Sequence, residues 1–189
     1  MSHSTPSEVV VQRVPLWLAV SLTVLISLPF GTLLGDYNLA LWASFIAWAE
    51  YFALGAKPSA LKYIWTLFPL GALFMGIFAT INNYCVVYAG WDLLPSVALW
   101  LFILVAVAVY MMKFHPMFQT GTLPYFNGIS MYLALYFGGI APGAGAGPLT
   151  GNPVIDPWIL WLWTSLAGIF GGFLGWLNVQ LTFPKVIKT

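Results

Sequence analysis

The sequence predicts an all-helical integral membrane protein with six transmembrane helices arranged as a 3+3 inverted repeat. Three observations lead to this expectation: the composition, the positions of the charged residues and an internal similarity between the two halves. Of the 189 residues, 61% are hydrophobic and only 6% are charged, whereas a soluble domain carries about 25% charged residues. Lipid must therefore cover most of the exterior.

The charged residues divide the chain into apolar stretches, each long enough for a helix of the ~20 residues that cross a bilayer core. We predict helices near 15–35, 38–56, 62–82, 93–112, 118–140 and 157–182. Residues 1–13 are expected to form a cytoplasmic tail, and residues 14–189 a single six-helix transmembrane domain. No cleavable signal peptide is expected, because the first apolar run is longer than a signal h-region and fits a first transmembrane helix.

The basic residues indicate the orientation of these helices. Six predicted helices place all the lysines and arginines on one side of the membrane: Arg13, Lys57, Lys62, Lys113, Lys185 and Lys188. Asp36, Asp92 and Asp156 fall in the opposite connections. By the positive-inside rule, both termini are expected in the cytoplasm.

An internal repeat relates the two halves, about 15–85 and about 93–182. Residues 45–54 of the second helix align with residues 126–135 of the fifth, sharing Phe, Tyr, Ala and Leu at the same spacing. The third helix aligns with the sixth through Trp65 and Trp161, Leu70 and Leu166, Phe74 and Phe170, Gly76 and Gly172, and Asn82 and Asn178. Three helices per unit give the copies opposite orientations, an arrangement that places a solute site or pore where they meet. A duplicated scaffold that transports nothing is the alternative.

A segment rich in glycine and proline, 141–157, lies before the sixth helix. Gly and Pro at this density do not continue a helix. We expect a surface loop, and the alternative is a segment that re-enters the membrane toward a pore.

The string Trp42-Ala-Ser-Phe-Ile-Ala-Trp-Ala-Glu-Tyr-Phe-Ala, followed by Gly55 and Lys62, resembles the first-repeat motif of the YcdZ-like family. Phe118-Gln-Thr-Gly-Thr-Leu-Pro-Tyr-Phe-Asn-Gly is similar to a segment in the second half of that family. The resemblance covers most of residues 38–182 and implies a small multi-pass protein of the bacterial inner membrane, without an activity. The chain departs from the family at Glu50, where a small or apolar residue is expected, and in the length of the Gly/Pro insertion.

Glu50 is the only ionisable residue well inside a predicted helix. A charged carboxylate at the helix centre costs about 2.5–3.5 kcal/mol on insertion scales, so an intramembrane acid suggests a functional site. Ala43, Ala47 and Ala53 share its helical face and form a stripe of small side chains. Glu50 is therefore expected to contact a polar solute or carry a proton. The alternative is a carboxyl group bonded to a neighbouring helix or to a lysine near the inner surface.

Asn127 lies near Pro124 and Gly128, where a broken helix would expose carbonyl groups to a ligand. Its amide both donates and accepts hydrogen bonds, which suits a neutral solute, and an interhelical hydrogen bond is the alternative. The other solute-binding or pore candidates are the residues that the repeat aligns: Tyr51, Tyr132, Asn82 and Asn178. Four glycines of the sixth helix are expected to permit close helix packing, within the chain or between subunits: Gly168, Gly171, Gly172 and Gly175.

These features favour a channel or transporter for a small neutral or weakly acidic solute. The alternative is a non-catalytic accessory or scaffold subunit of a larger membrane complex. An enzyme, a cofactor and a metal site are not expected, because no reactive set, phosphate loop or His-rich cluster is present in the sequence. The net charge of +1 excludes nucleic acid as a partner. The small-residue faces predict a homo-oligomer within the lipid bilayer.

Overall fold

The computed structural model describes residues 8–138 and 145–188, and in these residues it shows six α-helices and one two-stranded ribbon. The helices are α1 (Leu16–Thr32), α2 (Leu41–Ala53), α3 (Pro58–Val87), α4 (Leu93–Met111), α5 (Met117–Phe137) and α6 (Asp156–Thr182). Short 3-10 turns lie at Gly35–Tyr37 and Met112–Phe114. The all-helical architecture is therefore confirmed, and each helix lies near its predicted position.

Within the described residues, three helical segments are long and apolar enough to cross a membrane: α3, α4 with its 3-10 turn, and α6. The other three helices are shorter or interrupted. Helix α1 has 17 residues, and α5 contains a non-helical residue, Gly121, with φ −97° and ψ 19°. Helix α2 has 13 residues, which gives about 20 Å at 1.5 Å per residue, against a hydrocarbon core of ~30 Å.

The shortness of α2 has a local cause. The sequence predicts a helix over 38–56, but Gly55 and Ala56 adopt left-handed backbone conformations with φ 93° and 54°. Before the helix, the side chain of Asn38 accepts a hydrogen bond from the backbone of Leu34 at 2.8 Å. Both ends are therefore fixed by turns that an apolar pattern does not reveal.

The two ends of the described chain pair with each other. Strand β1 (Glu8–Val11) is antiparallel to β2 (Lys185–Lys188), with Val10 opposite Val186. The backbone N–H of Arg13 also donates to the carbonyl of Thr182 at 3.0 Å. The strand pairing was not predicted from the sequence, where residues 1–13 are expected to form a tail; the pairing brings the two ends of the described chain to the same end of the molecule.

Helix α3 lies at the centre and packs mainly against α5 and α6, while α2 packs mainly against α6. Helix α1 contacts α6, and α4 contacts α3. The closest approaches occur at glycines, because a Cβ at Gly71 would overlap the carbonyl oxygen of Tyr125 and one at Gly128 would overlap that of Phe68. The first three helices therefore pack largely on the last three.

Helices α3 and α6 contact each other through reciprocal pairs. The indole of Trp65 donates to a main-chain oxygen of α6 at 3.0 Å, and the indole of Trp161 donates to one of α3 at the same distance. A Cβ added to Gly76 would lie 3.5 Å from the Cβ of Trp161, and one added to Gly172 would lie 2.9 Å from Nε1 of Trp65. These four residues are two of the pairs that the repeat aligns.

Candidate functional site

Glu50 and Asn127 form a hydrogen-bonded pair between α2 and α5. The side-chain amide of Asn127 donates from Nδ2 to Oε1 of Glu50 at 2.6 Å, although 77 residues separate the two positions. Glu50 is only 1% exposed, and Asn127 is half-buried. The structure thus brings together the two residues that the sequence selected for different reasons.

Small residues place Glu50 in the interior. Ala43 and Ala47 precede it on the same face of α2 and are fully buried. Their neighbour on α6 is Gly171, where an added Cβ would lie 2.8 Å from the Cβ of Ala47. Ala53, at the end of the same stripe, is exposed. Small residues therefore allow α2 to pack closely on α6 along the face that carries Glu50.

The second carboxylate oxygen of Glu50 makes no hydrogen bond within the described part of the chain. Oε2 is buried and has no partner among the described residues, and the same holds for Nε1 of Trp48 and Oη of Tyr51. A buried polar atom without a partner costs about 1–3 kcal/mol, and more when it carries charge. Three such atoms within one turn of α2 give this short helix unused capacity to bind a proton, or a ligand that donates and accepts hydrogen bonds.

The aligned tyrosines occupy different environments. Tyr51 is fully buried and lies against Gly175, where an added Cβ would lie 2.5 Å from the Cβ of Tyr51. Tyr132 is also fully buried, and its hydroxyl donates to the carbonyl of Pro157 at 3.0 Å. Tyr132 thus links α5 to the first turn of α6 by a hydrogen bond, whereas the hydroxyl of Tyr51 has no hydrogen-bond partner among the described residues.

Asn82 belongs to a second polar cluster, between α3 and α5. Its Nδ2 donates to the hydroxyl of Tyr136 at 3.1 Å, and that hydroxyl donates to Oδ1 of Asn83 at 2.6 Å. Asn83 in turn donates to the carbonyl of Pro153 at 2.9 Å. Asn83 and Tyr136 were not among the residues predicted from the sequence. Their signals were the adjacency of Asn83 to Asn82 and the spacing of four residues between Tyr132 and Tyr136.

Asn178 lies in a third place, between α6 and α1. Its Nδ2 faces the hydroxyl oxygen of Thr23 at 3.4 Å, and both residues are fully buried. Asn82 and Asn178 therefore make different interhelical contacts despite their alignment. Of the six solute-binding candidates, hydrogen bonds join only Glu50 and Asn127 to each other within the described residues.

The four glycines of α6 all face other helices of the same chain. An added Cβ would overlap or crowd a residue of α2 or α3 at each position: Phe68 for Gly168, Ser44 for Gly171, Trp65 for Gly172 and Tyr51 for Gly175. The glycines thus allow close approach inside the fold. They do not offer a small-residue surface to a second copy. These four glycines therefore give no support to the expected homo-oligomer.

Part of the Gly/Pro segment is fixed by Asp156. The carboxylate of Asp156 accepts hydrogen bonds from the backbone and hydroxyl of Thr150 at 2.7 and 2.8 Å and from the backbone of Gly151 at 2.9 Å. Residues 141–144 of the predicted loop 141–157 lie outside the described residues.

Among all the residues of the chain that the structure describes, no group of three or more His, Cys, Asp or Glu side chains is placed to hold a metal ion.

Residues 14–182 match the profile of a family described as a protein of unknown function, DUF1097. Because the match covers most of the chain, the protein belongs to this family. The YcdZ-like name and an origin in the bacterial inner membrane stay predictions from the resemblance. No curated protein and no solved structure gives a match.

Proposed function

We propose that this member of the DUF1097 family is a channel or transporter for a small neutral or weakly acidic solute, with Glu50 and Asn127 at its solute site. The observation that carries the proposal is the buried carboxyl group of Glu50. One of its oxygens accepts a hydrogen bond from Asn127, and the other has no described partner. An acid kept in an apolar interior is costly and is characteristic of solute or proton pathways.

The two residues of the pair suit a solute that both donates and accepts hydrogen bonds. Oε2 of Glu50 can accept from an N–H or O–H group, or donate when the carboxyl is protonated. Asn127 is half-buried, and its amide oxygen can accept from the same molecule. Amides, hydroxylated compounds and protonated weak acids have this chemistry, whereas a small inorganic cation is better served by several oxygens.

The proposed architecture is six membrane-crossing helices built as an inverted repeat. The reciprocal contacts of Trp65 with Gly172 and of Trp161 with Gly76 support a two-fold relation between α3 and α6. The pairing of β1 with β2 supports an even number of crossings, because both tails meet at one end. Helix α2 is short, but it is packed against α6, and protein can cover backbone that lipid would not tolerate.

In this architecture Glu50 belongs to the first unit and Asn127 to the second. Movement of one unit against the other would lengthen or break their hydrogen bond, which is 2.6 Å long in this structure. In transporters built from inverted repeats, alternating access arises largely from such movement around a fixed site. The hydrogen bond of the pair is therefore expected to respond both to the solute and to the conformational state of the protein.

We also propose that the protein lies in a bacterial inner membrane with both termini on the cytoplasmic side, on the basis of the positive-inside rule and the family resemblance.

Flux through the purified protein tests the proposal. We would reconstitute the wild type, Glu50→Gln and Asp92→Asn in liposomes and measure stopped-flow light scattering with small amides, polyols, weak acids and water. We expect permeability for one solute class that changes in Glu50→Gln and is retained in Asp92→Asn, a matched loss of one carboxylate in an exposed connection. If no solute crosses faster than through empty liposomes, the accessory-subunit alternative is favoured, and co-purification would be used to find the partner.

The topology has its own test. In a Cys85→Ala background, single cysteines at Lys57 and Lys113 are expected to react with an impermeant maleimide from one side of the membrane. Single cysteines at Asp36 and Asp92 are expected to react from the other side. All four positions are exposed, so accessibility reports sidedness rather than burial. Labelling of any three positions from the same side would contradict the six-helix topology.

A further inference from the structure

A cavity of about 480 Å³ lies at the connection between α4 and α5. Lys113, His115, Gln119 and Thr122 provide its polar lining, and Met112 and Phe118 are among its apolar residues. Among the residues that the structure describes, no carboxylate lines it. In the proposed orientation this cavity opens at the cytoplasmic surface, at the end of α5 that precedes Asn127. It is separate from the site of Glu50.

The charge of Lys113 is held in place by aromatic rings. Its Nζ lies 3.4 Å from the ring centroid of Tyr110 and 5.0 Å from that of Phe114. A ring attracts one face of an ammonium group but does not neutralise its charge or use all three N–H donors. Lys113 lines the cavity, and its ammonium group, positioned beside these rings, keeps N–H donors for an anion at the cavity's edge.

His115 and Gln119 add neutral donors to this charge. The backbone N–H of Met117 donates to Nδ1 of His115 at 3.1 Å, so the proton of the neutral imidazole resides on Nε2 and is free to donate. Gln119, in the first turn of α5, supplies an amide with two N–H groups. The hydroxyl of Thr122 is used within the chain, because it donates to the carbonyl of Phe118.

We propose that this cavity binds a phosphate group, with Lys113 supplying the charge and His115 and Gln119 supplying hydrogen bonds. Lysine is a frequent ligand of phosphate as a point charge, and the absence of lining carboxylates removes competition for it. The phosphate can come from free inorganic phosphate or from the head group of an anionic phospholipid. Met112 and Phe118 offer apolar contact to the glycerol and acyl portion of the second.

Two binding measurements distinguish these sources. Inorganic phosphate is titrated into the full-length protein in a neutral detergent and followed by ³¹P NMR line broadening. In parallel, the protein is extracted from vesicles of phosphatidylcholine and phosphatidylglycerol, and native mass spectrometry counts the phosphatidylglycerol that it retains. Saturable broadening identifies free phosphate as a ligand, and retention of the lipid alone identifies the head group. Failure of both measurements overturns the proposal.

Matched variants localise the binding. Lys113→Gln is expected to weaken binding about tenfold or more, because a hydrogen bond to a charged group contributes about 1.5–3 kcal/mol. Lys62→Gln removes the same charge from another exposed lysine on the same predicted side and is expected to leave binding unchanged. His115→Asn can still accept from Met117, but its amide N–H donors lie closer to the backbone than Nε2 does, so we expect a smaller loss. An equal loss in Lys113→Gln and Lys62→Gln would overturn the site. Neither result depends on transport through Glu50.

Discussion

The amide of Asn127 and the carboxyl group of Glu50 are 2.6 Å apart and join α2 to α5 across 77 residues of sequence. Each is a polar side chain in a largely apolar helix. Each supplies the hydrogen-bond partner that the other needs. Their contact therefore links the stability of the helix bundle to the chemistry of its candidate site.

A double-mutant cycle measures this link. Glu50→Ala and Asn127→Ala are expected to destabilise the protein non-additively, with a coupling energy of about 1–2 kcal/mol, because each substitution alone removes the same hydrogen bond. The measurement is unfolding in mixed micelles of dodecyl sulfate and a neutral detergent. The control cycle combines Glu50→Ala with Asn178→Ala, which lies between α6 and α1 and should be additive within about 0.5 kcal/mol. Additivity in both cycles would contradict the contact.

The substitution of glycine by alanine is expected to have different effects at two positions of α3. Gly71→Ala would drive a Cβ into the carbonyl oxygen of Tyr125, whereas Gly76→Ala would place one 3.5 Å from Trp161, an ordinary contact. Overpacking against a backbone atom costs about 1–3 kcal/mol or more. We expect Gly71→Ala to lower the apparent melting temperature in detergent, while Gly76→Ala leaves it nearly unchanged. Equal effects would show that α3 and α5 do not approach each other as closely as described.

Tyr136→Phe tests the second polar cluster. The substitution removes the hydroxyl that accepts from Asn82 and donates to Asn83. Because Asn82 is fully buried, its amide loses its partner without access to bulk water, and we expect destabilisation of about 1–3 kcal/mol. Tyr84→Phe removes a hydroxyl from an exposed tyrosine of α3, the helix that carries Asn82 and Asn83, and serves as the control in the same unfolding assay. A neutral Tyr136→Phe would mean that the cluster does not stabilise the fold.

Disulfide formation tests the terminal ribbon. Val10 and Val186 are directly opposite each other in the antiparallel pair, and opposed residues have Cα separations of about 4.5–5.5 Å, within the range of a disulfide. In a Cys85→Ala background, Val10→Cys with Val186→Cys is expected to cross-link under mild oxidation. Val10→Cys with Lys185→Cys should cross-link far less, because neighbouring residues of a strand point to opposite faces. Comparable cross-linking of both pairs would indicate tails that are not in this register.

The helices were predictable because charged, glycine and proline residues separate the apolar runs and because each helix is coded over many consecutive residues. The exception at the C-terminal end of α2 arose from Gly55 and Ala56, whose left-handed conformation has no hydrophobic signature. The ribbon of β1 and β2 was not predicted, because a four-residue segment such as Glu8–Val11 forms a strand only by pairing with residues at the other end of the chain.

For the candidate site, the sequence identified residues but not their contacts. Glu50 stood out because an acid in an apolar helix is rare, and Asn127 because it adjoins a helix break. Their pairing depends on how α2 and α5 approach each other, which is set by small residues on α3 and α6 rather than by the neighbours of either residue. For the same reason, the hydrogen bond between Tyr136 and Asn82 could not be predicted, because their helices belong to different halves of the chain.

The packing of the first three helices on the last three has a consequence for biosynthesis. Helix α2 rests mainly on α6 and α3 mainly on α5 and α6, so the ribosome completes the early helices before their partners exist. At about 5–20 residues per second, the 77 residues between Glu50 and Asn127 take about 4–15 s to translate. In the proposed six-helix membrane architecture, the carboxyl group of Glu50 must be shielded during that interval by the insertion machinery, by water or by a bound proton. In that architecture, assembly is a post-insertion event that is completed only after the last helix has entered the bilayer.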